Sequence, residues 1–421
     1  MKRGVSALLL LLAIQTVQAQ QQTFTWQQLE QKFEASNPTL LADQLDVNET
    51  KAEEITAFLR PNPEFSVTAD GTQLVPSHGV WQPLAGTFVV PGISYLHERD
   101  HKRELRLESA RQGTAVAQFS HADLQRTMLF NLRSAFVSSL QAKAVLDLAK
   151  SDLAYWDRVL QISKDRLDAG DIAQIDFDRL ELQRVQYVSD VQTAEVNLRT
   201  AKIQLLTLLN ERIPVAQFDV TGPYEFADQL EPLEQVRQIA LDTRPDLKAA
   251  VESVTEAQTN HKLAIANGST DPTFGAWYTY NNAPTSNFFA DQTLGLSVSF
   301  PLRIFDRNQG EKLRTQIDIG RQERLRDAIE AQVLGDVDSG YATLDSTLVL
   351  LRPYKLKYLQ ESLHVRDTIF FSYQHGGASL LDFLAAESDY RSVQLNYVNL
   401  VGSYLMAAAQ LNMAVGREVV P

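Results

Sequence analysis

The sequence predicts a mainly α-helical protein that is built twice and carries four strands, which can close into a β-barrel only if several chains pool them. Three observations predict this. Two glycine-broken tips of the same form, 166–181 (RLDAGDIAQIDFDRLE) and 372–387 (SYQHGGASLLDFLAAE), each separate two long stretches of helical spacing. The chain breakers recur at a nearly constant offset: 207 from Asn37-Pro38 to Arg244-Pro245, 209 from Asn62-Pro63 to Asp271-Pro272, 210 from Val90-Pro91 to Phe300-Pro301, 206 from Gly170 to Gly376 and 202 from Asn210 to Asn412. Finally, Leu294, Leu296, Val298 and Phe300 alternate with Thr293, Gly295, Ser297 and Ser299, while Phe274, Ala276, Tyr278 and Tyr280 alternate with smaller or polar residues. Period-two alternation over about 10 residues is the pattern of a membrane-spanning strand.

Composition narrows the function classes. The chain has 421 residues, a net charge of −13 and no cysteine. Disulfides, thiolate metal sites and cysteine nucleophiles are therefore excluded, as is an N-terminal lipid anchor on cysteine. No basic block is present to follow a phosphate backbone, so nucleic acid is not an expected partner. Residues 1–19 read as a signal peptide: Lys2 and Arg3, an apolar run from Val5 to Ile14, then Val17-Gln18-Ala19 as a cleavage site. No later stretch reaches the roughly 18 uninterrupted apolar residues of a membrane helix, so entry into a membrane requires a closed barrel.

In chain order, Trp26 to Phe58 is expected to be helical with a restart at Pro38, and Arg60-Pro61-Asn62-Pro63 stops it. Strands are expected at about 64–75 and 84–91, with Pro91-Gly92 ending the second. From about Tyr95 to Asp168 a single helix of about 110 Å is predicted. Met128, Leu132, Ala135, Ser139, Ala142, Leu146, Ala149 and Leu153 follow one another in steps of four and three, the spacing of supercoiled helices. After the first tip, Ile175 to Asn210 returns antiparallel, and 215–232 links the halves. The second repeat, 233–416, places strands at about 273–282 and 292–302, and Pro353 should kink its long helix. Val393, Tyr397, Leu400, Tyr404, Ala407 and Leu411 form the seam of the last helix, and 417–421 is a tail. The first repeat correspondingly fills 20–214.

Four strands per chain are too few for a membrane barrel, whose smallest form has about eight. Two chains would give eight strands and a filled interior; three would give twelve and a passage.

Arg60-Pro61-Asn62-Pro63-x-Phe65 before the first strand, the repeat, the leader, and tips ending in Asp-Phe-Asp (176–178) and Leu-Asp-Phe-Leu-Ala-Ala-Glu (381–387) resemble the TolC family of outer-membrane efflux proteins. Within it the likeness is to the CzcC-like heavy-metal branch. The resemblance covers essentially the whole mature chain. It implies a homotrimer in the outer membrane of a Gram-negative bacterium, with a twelve-stranded barrel and a long periplasmic α-barrel. It also implies a periplasmic adaptor protein and an inner-membrane RND pump as partners, outer-membrane lipid around the strands, no cofactor and no enzymatic activity. The implied function is a passive exit duct, here for heavy-metal cations; a multidrug or type I secretion duct of the same fold is the alternative.

By the same resemblance Asp382 belongs to a lumen gate. Ala385 stands where a second ring aspartate is common, and Ala378 where a locking basic residue is found in the best-known members. Asp176 and Asp178 of the first tip are further gate candidates. Exposure at the turns makes Gly170, Asp171, Gly376, Gly377, Ala378 and Ser379 candidates for adaptor docking. On physical grounds alone, Asp176 and Asp382 also suit a helix N-terminus, where acidic residues complement the dipole.

One motif points to another class. His97-Glu98-Arg99-Asp100-His101 matches HExxH, in which two histidines at i and i+4 of a helix bind zinc and the glutamate activates water. No third ligand is in place, since Glu104 and Leu107 occupy the positions of the extended motif's glycine and histidine. No metal site is therefore expected; His97, His101 and His375 are weak candidates and a zinc peptidase is a remote alternative. A soluble adaptor with a coiled-coil hairpin is the third reading.

Overall fold

The computed structural model describes residues 22–76, 78–84, 86–281 and 292–420; the expected signal peptide lies outside the described residues. The elements run β1 (Gln22–Phe24), α1 (Trp26–Ser36), α2 (Pro38–Phe58), β2 (Glu64–Asp70), β3 (Phe88–Leu96), α3 (Lys102–Asp168), α4 (Gln174–Leu208), β4 (Phe218–Val220), α5 (Leu233–Thr243), α6 (Pro245–Asn267), β5 (Thr273–Asn281), β6 (Gln292–Ser299), α7 (Gln309–Pro353), α8 (Leu359–Gln374) and α9 (Leu380–Val415). A π-helical turn, Tyr354–Tyr358, follows Pro353 and joins α7 to α8. Proline removes a backbone donor, and the ladder resets by one residue there.

The helix restarts have local causes. Asn37 Oδ1 accepts the N–H groups of Thr39 (3.0 Å) and Leu40 (3.2 Å), capping α2 behind Pro38. At the equivalent point Arg244 precedes Pro245 and is pinned by Asp246 (2.6 Å) and Asp336 (2.8 Å).

The chain forms two compact units, and neither coincides with a repeat: one contains residues up to 41, 126–236 and 337–421, the other 42–125 and 237–336. Each unit draws on both halves of the sequence.

The second unit holds an antiparallel sheet in the order β2-β3-β5-β6. Its register aligns Phe65 with Ile93, Ile93 with Ala276, and Ala276 with Leu296. Because side chains alternate along each strand, one face carries Phe65, Val67, Val89, Pro91, Ile93, Tyr95, Phe274, Ala276, Tyr278, Leu294, Leu296 and Val298. The other carries mainly Glu64, Ser66, Thr68, Asp70, Ser94, Thr273, Thr279, Thr293, Ser297 and Ser299.

Three sequence expectations are corrected here. The second strand was expected at 84–91 with Pro91-Gly92 as its end, yet β3 runs from Phe88 to Leu96 straight through them. The β3–β5 ladder omits Val90 and Pro91 and resumes at Gly92 with Trp277, so the missing proline donor falls in the interruption. Gly92 fits because a Cβ there would press on the Trp277 Cβ at 3.3 Å. The first strand ends at Asp70 rather than 75. The long helix begins at Lys102 rather than near Tyr95, because Tyr95 and Leu96 belong to β3 and Asp100 and His101 adopt positive φ (55° and 56°).

The first unit is helical apart from a parallel pair, β1 beside β4 (Gln22 with Phe218, Phe24 with Val220), that the sequence reading did not anticipate. Asp219 of β4 is clamped by Lys143 (2.8 Å) and Lys202 (2.9 Å). The expected seam residues Leu132, Ser139, Leu146 and Ala149 of α3 are buried, as are Tyr404, Ala407 and Leu411 of α9. By length and composition α9 could cross a membrane, but half of its most apolar stretch is buried within the fold. That burial marks it as a core helix.

Candidate functional site

At the first tip Asp171 N donates to Arg166 O (2.8 Å) and Gly170 has φ 83°. At the second, Gly377 N donates to Ser372 O (2.8 Å) and Gly376 has φ 78°. Both are the same six-to-one helix stop, which requires a left-handed residue that glycine supplies without strain.

Beyond the first stop, Asp176 lies in the first turn of α4, 3.8 Å from Arg179, and Asp178 accepts from Gln174 Nε2 at 2.7 Å. Asp382 closes a capping box at the start of α9: its Oδ2 accepts from Ser379 N (3.0 Å) and Ser379 Oγ (2.7 Å), while its own N–H donates back to Ser379 Oγ (3.2 Å). The Ser379 hydroxyl and N–H hold the Asp382 carboxyl below its usual range. Asp382 is exposed, so it stays ionised and faces solvent while capping. Gly170, Asp171, Gly376, Gly377 and Ser379 are exposed; Ala378 is half-buried against the aromatic residues behind the tip. His375 is engaged locally, its Nδ1 2.8 Å from Phe371 O.

Behind the tips, Trp156 stacks between Tyr187 (centroids 4.9 Å) and Phe383 (6.0 Å) and donates from Nε1 to Leu180 O (3.1 Å). Tyr373 stacks on Phe383 at 5.5 Å, and Arg166 lies over the Tyr373 ring. This core joins α3, α4, α8 and α9.

One turn further along α9 is a charged layer that the sequence reading missed. Arg391 bridges Asp190 (2.5 Å) and Asp152 (3.4 Å) and lies over the Tyr187 ring. Glu387 is 3 % exposed; Tyr187 Oη donates to its Oε1 (3.3 Å), whereas Oε2 accepts no hydrogen bond and stands 4.0 Å from Arg366 Nε. Burial pushes its carboxyl up to about 7, with Arg366 pulling the other way. A signal was available: Glu387 lies seven residues after buried Leu380, a charge in a seam position.

The HExxH residues are not brought together as a site. The stretch was read as the start of a helix, but it precedes α3, and the positive φ of Asp100 and His101 destroys the i, i+4 geometry. Glu98 is held by Arg106 (2.5 and 2.8 Å), and His97 packs edge-on against Phe274. Among the described residues no group of three or more His, Asp or Glu could hold a metal ion.

One unit thus holds a four-stranded sheet with an apolar face, and the other holds two helix tips that glycine stops and capping residues define. Residues 236–417 match the family described as outer membrane efflux protein. The chain is 21% identical over 384 residues to the cobalt-zinc-cadmium resistance protein CzcC of Cupriavidus metallidurans, covering 91% of this chain and 87% of the relative. It is 23% identical over 313 residues to the outer membrane protein TolC of Escherichia coli K12, covering 69% of this chain and 62% of TolC, so that match spans less than two thirds of the relative. The crystal structure of CusC superposes with a TM-score of 0.77 at 17% identity, over 93% of this chain and 92% of CusC. The chain is thus similar, in sequence and in fold, to outer-membrane efflux proteins of the TolC family.

Proposed function

We propose that this chain forms the outer-membrane exit duct of a tripartite, RND-type efflux system, a homotrimer that passively conducts heavy-metal cations and carries out no catalytic step. The observation that carries this is the sheet. Leu294 and Leu296 on its apolar face are each 76% exposed, and edge strands β2 and β6 each have one unpaired side. An apolar face with two open edges is unstable in water and stable in lipid once copies close the ring. Three copies give twelve strands, enough for a passage.

Two unfilled helix seams support assembly from identical copies. Ile175, Leu182, Val196 and Ile203 of α4 are exposed at heptad intervals, and so are Val349, Leu356 and Leu363 across α7, the π-helical turn and α8. The seams differ, which suits a head-to-tail contact that closes as a ring.

Asp176, Asp178 and Asp382, repeated around an axis, would focus a negative field that favours cations at the entrance. The turns Gly170-Asp171 and Gly376 to Ser379, exposed except at half-buried Ala378, are where a periplasmic adaptor would dock, coupling the duct to its inner-membrane pump. Similarity to CzcC, a cobalt-zinc-cadmium resistance protein, favours metal cargo.

The test is the mass of detergent-extracted protein by light scattering, followed by complementation of a duct-deficient strain. A trimer that restores resistance to divalent cations is expected. A soluble monomer would overturn the duct; a trimer restoring resistance only to organic compounds would overturn the cargo and leave the duct standing.

A further inference from the structure

In the charged layer behind the tips both arginines are committed elsewhere than to Glu387. Arg391 of α9 serves Asp190 of α4 (2.5 Å) and Asp152 of α3 (3.4 Å). Arg366 of α8 gives both Nε (3.0 Å) and Nη2 (2.7 Å) to the neighbouring Asp367, and its guanidinium lies over the Tyr155 and Tyr390 rings at 4.5 and 4.2 Å. Its Nε therefore stops 4.0 Å short of Glu387 Oε2, beyond hydrogen-bond reach. Among the described residues the one hydrogen bond to this 3 % exposed carboxyl comes from Tyr187 Oη, and it falls on Oε1.

The groups facing Glu387 are Tyr155 and Asp152 from α3, Tyr187 from α4, Arg366 from α8, and Tyr390 and Arg391 from α9, with Asp367 and Asp190 behind their arginines. A neutral carboxyl suits this site, whereas an ionised one leaves an oxygen bare in the interior, which is costly. A groove of about 450 Å³, lined by Asp152, Asp190, Ser388, Arg391 and Ser392, opens beside the layer and gives the carboxyl a route for its proton.

Once the proton leaves, water relieves the bare charge only if the helices around it part. α8 has freedom to give, because the π-helical turn Tyr354–Tyr358 interrupts its union with α7. Movement there reaches the tips directly: Phe383, one turn before Glu387 on α9, stacks with both Trp156 and Tyr373, and Asp382 beside it caps the helix.

We propose that Glu387 is a proton-operated latch: protonated, it lets α8 and α9 pack on α3 and α4 behind the tips, and on losing its proton it loosens that packing. The latch belongs to the chain itself; only its effect on passage rests on the duct proposed above, where loosened tips widen the entrance. The packed form titrates at about 7 and a parted, hydrated form at an ordinary 4.5, so the ratio of parted to packed rises by up to about tenfold per pH unit between those values and levels off above them. The Tyr187 hydroxyl favours the charged carboxylate, so Tyr187→Phe moves the levelling-off to higher pH.

The test is hydrogen exchange read by mass spectrometry on the full-length, detergent-extracted protein from pH 5.5 to 8, each rate divided by that of the unstructured peptide at the same pH. Peptides covering 380–391 and 153–190 of the wild type should lose at least about tenfold in protection between pH 5.5 and 7. Glu387→Gln leaves every other titratable group in place, His364 and His375 included, and should give a flat profile. Wild-type protection that ignores pH, or a fall that Glu387→Gln retains, overturns the latch. Should Glu387→Gln fail to fold, Tyr187→Phe decides: a profile that coincides with the wild type overturns the latch, and one displaced to higher pH upholds it. Conductance in planar bilayers at pH 5.5 and 7.5 separates the two readings. Pores with pH-independent conductance overturn control of the entrance, and absence of pores beside a pH-dependent exchange profile overturns the duct while upholding the latch.

Discussion

Replacing Leu296 by arginine separates a lipid-facing sheet from a water-facing one. Leu296 lies near the middle of β6, in the cross-strand row Phe65, Ile93, Ala276, Leu296, and is 76% exposed in the single chain. If that face met water, the substitution would cost no more than about 0.5 kcal/mol, the usual range for a surface change. At the midplane of a bilayer it costs about 2–4 kcal/mol per copy, roughly a 30- to 1000-fold loss of the folded form. Ser297→Arg is the control, at the same depth but on the polar face, and should change stability by less than about 1 kcal/mol. The assay is urea titration of protein refolded into lipid vesicles, with folded and unfolded species separated by gel mobility. Equal midpoints for Leu296→Arg and Ser297→Arg would refute the assignment of faces.

Further outcomes can be checked independently. Glu387 carries its proton in the folded chain up to about pH 7, against an ordinary 4.5, so folding binds a proton between those values and stability falls as pH rises through them. Facing it are Tyr155 and Asp152 of α3, Tyr187 of α4, Arg366 of α8, and Tyr390 and Arg391 of α9, with Asp367 paired to Arg366 and Asp190 to Arg391. Glu387→Gln should flatten this slope, worth on the order of 3 kcal/mol above pH 7, in denaturant titrations of the trimer at pH 5 and 8. Asp382→Asn keeps a capping side chain but removes its charge, so thermal stability should hold while cation selectivity falls in reversal-potential measurements; unchanged selectivity would leave Asp382 a cap and nothing more. Gly376→Ala meets no atom within 4 Å but forces φ 78° on a residue with a Cβ, and should lower stability by about 1–2 kcal/mol, read as a drop in melting temperature. Neither the wild type nor Glu98→Gln is expected to hydrolyse peptide substrates in a zinc-supplemented protease assay, because Glu98 is engaged by Arg106; hydrolysis by the wild type that Glu98→Gln abolishes would refute this.

Local chemistry made some elements legible in the sequence. Gly170, Gly376 and the proline restarts at 38 and 245 each announce a backbone event that few other residues tolerate. The alternation from Phe274 to Phe300 revealed β5 and β6 because an apolar face repeats every second residue. β3 was harder: Pro91-Gly92 normally ends a strand, and only the interrupted pairing with β5 makes the dipeptide tolerable there. β1 and β4, three residues each, carry no period at all and are defined by partners nearly 200 positions away. The roles of Asp152, Asp190 and Arg391 were equally hidden, since charged residues on three long helices look solvated until the helices are packed. HExxH misled for the opposite reason: spacing in sequence is spacing on a helix only where the backbone is helical.

The way the two compact units cut across the sequence repeat has a consequence for biogenesis. β3 cannot find β5 until some 180 further residues have been made and delivered, and β1 waits as long for β4. Neither half can fold and bury its surfaces while the other is still crossing the inner membrane. Such distant pairings fold slowly and leave apolar strands and seams open to wrong partners in the meantime. The chain therefore depends on being held soluble during transit, and a truncation after the first repeat should yield an aggregating fragment instead of half a channel.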